Sequence, residues 1–158
     1  MTVSTKKSRR KSKNQALKKL KRLLVIDDDH STLFALRKIF QKSNITVDTS
    51  DSLENARECI DNHYYQVILT DLVFSREVKD AGLEISAYAK RKLPGVKVIL
   101  WSGTEALGPL KEKARYADVD YFFTKPVSTS VIGNIVERLT FSKPGAPKRA
   151  LSRKPASV

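Results

Sequence analysis

Apolar residues in the middle of the chain fall into short runs separated by longer amphipathic segments. Leu23 to Ile26 is a run of four apolar residues delivered onto Asp27, the pattern of a short strand covered on both faces. Behind it, Leu33, Leu36, Ile39 and Phe40 recur at helical spacing through STLFALRKIFQKS, with Ser31 or Thr32 placed to cap the start. ITVDTS is a second, weaker strand, and DSLENARECIDNHYY a second helix whose Asp51 and Glu54 have capping-box spacing. YQVILTD is a third strand. A loop follows, then a helix from about Gly82 to Lys92, stopped by Pro94 and Gly95. VKVILWS is the fourth strand, 104–117 the fourth helix, DYFFTK the fifth strand and 128–140 the fifth helix. Five strands alternating with five helices imply an α/β fold, a parallel sheet with helices on both faces.

A chain of 158 residues suits one globular domain. Its 41% hydrophobic content is enough for a real core, and no apolar run approaches the roughly 18 residues of a membrane span. No transmembrane segment is therefore expected, and the expected location is the cytoplasm. Cys59 is the single cysteine, which excludes an internal disulfide and a multi-cysteine metal site; on a helix it reads as a small buried hydrophobe. The net charge of +13 resembles a nucleic-acid signal until it is located. Residues 1–22 carry ten lysines and arginines and no acid, and residues 142–158 carry five and no acid, so the remainder is 2 units negative. Three segments follow: a basic disordered tail over 1–22, a folded body over 23–141 and a second basic disordered tail over 142–158.

In open α/β sheets ligands bind at the carboxyl ends of the strands. Four predicted strands finish there on polar groups: Asp27 and Asp28 after the first, Asp71 on the third, Ser102 on the fourth and Lys125 on the fifth. Carboxylates crowded together repel, and a hard divalent cation resolves the conflict; Mg²⁺ takes one or two carboxylates and keeps several waters. With a lysine and a hydroxyl beside it, such a pocket can stabilise a transferring phosphoryl group. The chemistry suggested is phosphoryl transfer onto a carboxylate.

LLVIDDDHST, VILTDLV, VILWSGT and YFFTKPV, in this order and at these separations, resemble the receiver domain of two-component response regulators of the stand-alone, CheY-like kind. The resemblance spans about Leu23 to Leu139 and implies a flavodoxin-like (βα)5 doubly wound parallel sheet with strand order 2-1-3-4-5. It implies a phosphoprotein in which Asp71 accepts a phosphoryl group from a histidine kinase or phosphotransfer protein. Asp28 matches the direct Mg²⁺ ligand, Asp27 the acidic neighbour that reaches the metal through water, and Val73 the residue whose backbone carbonyl completes the protein ligands. Lys125 matches the lysine that pairs with the phosphoryl oxygens, and Pro126 the proline whose peptide is cis. Ser102 matches the switch hydroxyl and Phe122 the aromatic that changes rotamer with it. No turnover of a separate substrate is implied.

Each of these residues also has an ordinary role when taken singly. Asp27 to Asp29 could close a strand and cap a helix, Asp71 could cap a strand end, and Ser102 could be a turn hydroxyl. Lys125 could be a solvated charge and Phe122 core packing. His30 and His63 lack partners at ligand spacing and read as surface residues. Two departures from the family pattern stand out. The loop DLVFSREVKDAGLE lacks the usual methionine-proline pair and runs about three residues long, and Trp101 stands where a smaller residue is usual and reads as packing. The alternatives are a pseudo-receiver, or a protein binding nucleic acid or an anionic surface through its basic tails by salt-dependent, sequence-independent contacts. The output partner is not specified by the sequence.

Overall fold

In the computed structural model, residues 21–41, 44–103 and 118–142 are described. The two basic tails, apart from the residues adjoining the folded body, and the helix expected at 104–117 lie outside the described residues. The five strands are β1 (Arg22–Ile26), β2 (Thr46–Ser50), β3 (Val67–Asp71), β4 (Lys97–Ser102) and β5 (Tyr121–Thr124). The four described helices are α1 (His30–Gln41), α2 (Leu53–Asn62), α3 (Ala81–Lys92) and α4 (Thr129–Phe141). The sheet is parallel in order β2-β1-β3-β4-β5. This is the doubly wound, flavodoxin-like α/β fold that the strand-helix alternation implies.

Strand alternation divides the core in two. Leu23 and Val25 of β1, Val67 and Leu69 of β3, and Ile99 and Trp101 of β4 face α1 and α4, meeting Leu33, Leu36, Phe40, Ile132 and Val136. Leu24, Ile26, Ile68 and Val98 face the opposite way, onto Ala56 and Ile60 of α2 and Ala81, Ile85 and Ala89 of α3. Leu23, Leu24, Val25 and Ile26 are all fully buried, which is why β1 reads as an unbroken apolar run and not as an alternation. Helices on both faces leave only the strand ends open to polar chemistry.

The caps differ from expectation at two helices. At α1 the helix begins at His30, so Ser31 and Thr32 are already inside it. Asp29 does the capping: its Oδ1 accepts the Ser31 N–H at 3.0 Å and its Oδ2 the Thr32 hydroxyl at 2.7 Å. These bonds, the hydroxyl first, hold the Asp29 carboxyl below its ordinary pKa. At α2 the capping residue is Ser52, whose hydroxyl accepts the Asn55 N–H at 3.3 Å. The Asp51/Glu54 capping box is therefore not formed; the shorter serine one residue later reaches the amide instead.

Away from the strand carboxyl ends, two networks tie up polar groups structurally. Tyr65, fully buried, donates its hydroxyl to Asp48 Oδ2 at 2.8 Å, and the same oxygen takes Arg22 Nη1 at 3.0 Å. Burial, then the Asp48 carboxylate, pushes the Tyr65 hydroxyl pKa far up, so it remains a donor throughout the stable pH range. Tyr65→Phe is expected to cost about 1 kcal/mol in urea unfolding; an unchanged unfolding midpoint would contradict a structural role for this hydroxyl. Asp120 closes a second network, accepting Lys90 Nζ at 2.5 Å, Lys97 Nζ at 3.3 Å and the Val98 N–H at 2.9 Å. Cys59 is half-buried, with its Sγ 3.7 Å from Asn55 Oδ1.

Candidate functional site

At the carboxyl edge of the sheet the strand-end residues converge. Asp27 follows β1 directly and is 2% exposed. Its Oδ1 accepts the Asp29 N–H at 2.9 Å, and its Oδ2 lies 3.4 Å from Lys125 Nζ. Burial pushes the Asp27 carboxyl pKa up; the Asp29 amide and the Lys125 ammonium oppose this, and the Asp71 charge adds to it. Asp28 sits on the exposed rim. Asp71 ends β3, its Oδ2 3.1 Å from Lys125 Nζ and its Oδ1 accepting the Val73 N–H at 3.4 Å. The Val73 side chain is exposed, so the loop presents backbone, not side chain, to Asp71. One carboxylate oxygen from each of Asp27, Asp28 and Asp71 lies within 4.8 Å of the others.

Lys125 comes immediately after β5. Its backbone N–H donates to the Ser102 carbonyl at 2.6 Å, which ties it to the end of β4, and the Lys125–Pro126 peptide is cis. Ser102 ends β4, 4% exposed and in register with Thr124. Phe122, in register with Leu100, is half-buried against Leu72, Leu83 and Leu100. Asp27, Asp28, Asp71 and Lys125 thus meet in one cluster. Ser102 ends the neighbouring strand and Phe122 lies one strand further, on β5. His30 and His63 are exposed and outside it; His30 Nε2 stands 3.6 Å from Asp51 Oδ2.

Among the described residues three carboxylates face one ammonium, so this cluster is under-neutralised. Asp27 lacks the exposure that would let water compensate. The oxygen-only donor set, partly buried and partly on the rim, suits a hard divalent cation.

Gly82 is a site residue that the sequence reading did not single out beyond its place at the start of a helix. A Cβ there would lie 2.3 Å from the Asp71 carbonyl oxygen and 2.7 Å from Leu72 Cα. Its N–H donates to the Leu72 carbonyl at 2.9 Å. The first turn of α3 therefore sits directly on the backbone that carries Asp71, an approach only glycine permits. Thr70, buried beside it, donates its hydroxyl to the Asp71 carbonyl at 2.9 Å. The sequence mark of Gly82, a glycine within a helical pattern, is shared by Gly133, whose Cβ position is open, so that mark alone does not reveal the contact.

The family model of the response regulator receiver domain matches residues 23–137. The chain belongs to that family, whose members are signalling phosphoacceptor domains served by histidine kinases or phosphotransfer proteins. Among solved structures it is similar to a CheY-like response regulator receiver domain protein from Methanospirillum hungatei JF-1. The identity is 25% and the TM-score 0.67, covering 76% of this chain and 94% of that one. It shares its fold with an adenylate cyclase from Rhodopirellula baltica at 24% identity and a TM-score of 0.69, covering 77% of this chain and 87% of that one. A response regulator from Burkholderia pseudomallei, solved with a phosphorylated aspartic acid, a calcium ion and citrate, shares it at 19% identity and a TM-score of 0.62. That match covers 71% of this chain and 64% of the other. No curated protein matches the chain. No helix among the described residues is long and apolar enough to cross a membrane.

Proposed function

We propose that this protein is a phosphorylation switch in which Asp71 accepts a phosphoryl group from a histidine kinase or phosphotransfer protein. The observation that carries the reading is Lys125 Nζ, 3.1 Å from Asp71 Oδ2, inside a carboxylate cluster spanning 4.8 Å. An Asp71 carboxylate oxygen attacks the phosphorus of a phosphohistidine, forming an O–P bond as the P–N bond breaks. The electron pair leaves on the imidazole nitrogen, which takes up a proton. Hydrolysis reverses the state: water attacks the phosphorus and Asp71 leaves as its carboxylate.

Lys125 takes the phosphoryl oxygens as charge builds on them, an electrostatic role because the ammonium is already in place. Asp27, Asp28 and Asp71, with the backbone carbonyl of Val73, would hold Mg²⁺. When bound, the ion supplies positive charge against the carboxylates and the phosphoryl oxygens. Ser102 moves its hydroxyl toward the phosphoryl group, and Phe122 follows by turning within its half-buried cluster. The readout is a changed surface on the neighbouring strands and helices. The cytoplasm is the compartment that fits such a kinase-served acceptor.

Intact-mass measurement after incubation with phosphoramidate and Mg²⁺ tests this. One labile phosphoryl group is expected on the wild type, absent without Mg²⁺ and absent in Asp71→Asn. A stable modification, or one that persists in Asp71→Asn, would remove Asp71 from its assigned role.

A further inference from the structure

Trp101 is the single tryptophan of the chain. It lies opposite Asp71 in the β3–β4 register, and its carbonyl accepts the Leu72 N–H at 2.9 Å. Its backbone is therefore fastened to the segment that carries Asp71. The residue is 7% exposed and belongs to the core facing α1 and α4. Apolar packing accounts for that burial but not for an indole. Nε1 is buried with no hydrogen-bond partner among the described residues, a donor that leucine or phenylalanine would not strand. The ring does have a polar neighbour on its face: Lys125 Nζ is 4.5 Å from its centroid, inside the roughly 6 Å over which a ring quadrupole attracts a cation.

The ammonium is thus held from three directions, by Asp27 Oδ2 at 3.4 Å, Asp71 Oδ2 at 3.1 Å and the Trp101 face. Phosphorylation alters the charge on one of the two carboxylates, whereas the ring is unchanged by it. A ring face also attracts the cation without consuming a particular N–H, so the donors remain available to carboxylate and phosphoryl oxygens. A lysine stem is flexible and its head strongly hydrated; a fixed, water-excluding wall narrows the positions it samples.

Resting on the reading of Asp71 as phosphoacceptor, we infer that Trp101 is a positioning residue for phosphoryl transfer. Its ring fixes the Lys125 ammonium beside Asp71, and its emission reports what occupies the site. Trp101→Leu is expected to slow phosphorylation by phosphoramidate about three- to tenfold, and Trp101→Phe, which keeps a ring face, to restore most of the rate. Wild-type emission is expected to change when beryllofluoride and Mg²⁺ are added. Lys125→Met is expected to shift the resting emission and to lose that change at equal occupancy, read independently by fluorine NMR. This arm decides the matter if Trp101→Leu does not fold. A wild-type rate in Trp101→Leu, or an emission response that survives in Lys125→Met, would overturn the inference and leave the phosphoacceptor reading standing. A wild type that neither binds beryllofluoride nor gains a phosphoryl group would overturn both.

Discussion

Gly82→Ala is expected to lower stability by about 3 kcal/mol and to slow phosphorylation of Asp71, while Gly133→Ala is expected to raise stability by up to about 1 kcal/mol. Both glycines lie in helices, α3 and α4, so the gain from replacing glycine within a helix applies to each. At Gly133 a Cβ meets nothing within 4 Å and that gain is realised. At Gly82 the same Cβ would stand 2.3 Å from the Asp71 carbonyl oxygen and 2.7 Å from Leu72 Cα. Those are backbone atoms and cannot swing aside as a side-chain tip could. Relief requires α3 to retreat from the end of β3, which gives up the 2.9 Å bond from the Gly82 N–H to the Leu72 carbonyl and the packing of Leu83 on Leu72 and Leu100. The steric cost outweighs the propensity gain. Urea unfolding of the two variants with the wild type, and the phosphorylation rate of each, check this. Equal stability for Gly82→Ala would show that the helix start is not held against the Asp71 backbone.

Gly82 also marks where sequence reading stops. The five strands and four described helices follow from local signals. Buried strands announce themselves as apolar runs, and Leu33, Leu36 and Phe40 repeat at the spacing that buries one face of α1. Asp27, Asp71 and Lys125 were legible because a parallel sheet delivers every strand's carboxyl end to the same edge. What failed was local competition. Ser52 displaced Asp51 as the cap of α2, and Asp29 displaced Ser31 and Thr32 at α1. Neighbouring residues with interchangeable capping chemistry are separated only by where the backbone turns. Gly82 against Asp71, and Trp101 against Lys125, are contacts between elements. No spacing within one element encodes them, and register between elements is set by the packing of the whole sheet.

Asp27→Asn is expected to stabilise the metal-free protein near neutral pH, on the order of 1 kcal/mol, and to remove most of its response to Mg²⁺. Burial holds the Asp27 carboxyl above its ordinary pKa of 3.8, so the folded state favours the protonated form. The stability tied to that proton is fully present below 3.8 and is lost as pH rises through the folded value. Asparagine keeps the oxygen that accepts the Asp29 N–H and carries no charge to desolvate. The advantage of the variant should therefore shrink as pH falls toward 4, and the difference between the two proteins isolates this group from the other titrations. With Mg²⁺ the order reverses. A ligand at a hundredfold its dissociation constant stabilises by about 2.7 kcal/mol, a gain open to the wild type and largely closed to a cluster short of one carboxylate. Urea midpoints at pH 7.5 and about 4, each with and without Mg²⁺, give four comparisons. A less stable metal-free variant at neutral pH would mean that the Lys125 ammonium already neutralises Asp27. A crossover on adding Mg²⁺ would mean that the carboxylate is retained against the stability of the metal-free fold, as expected of a metal ligand.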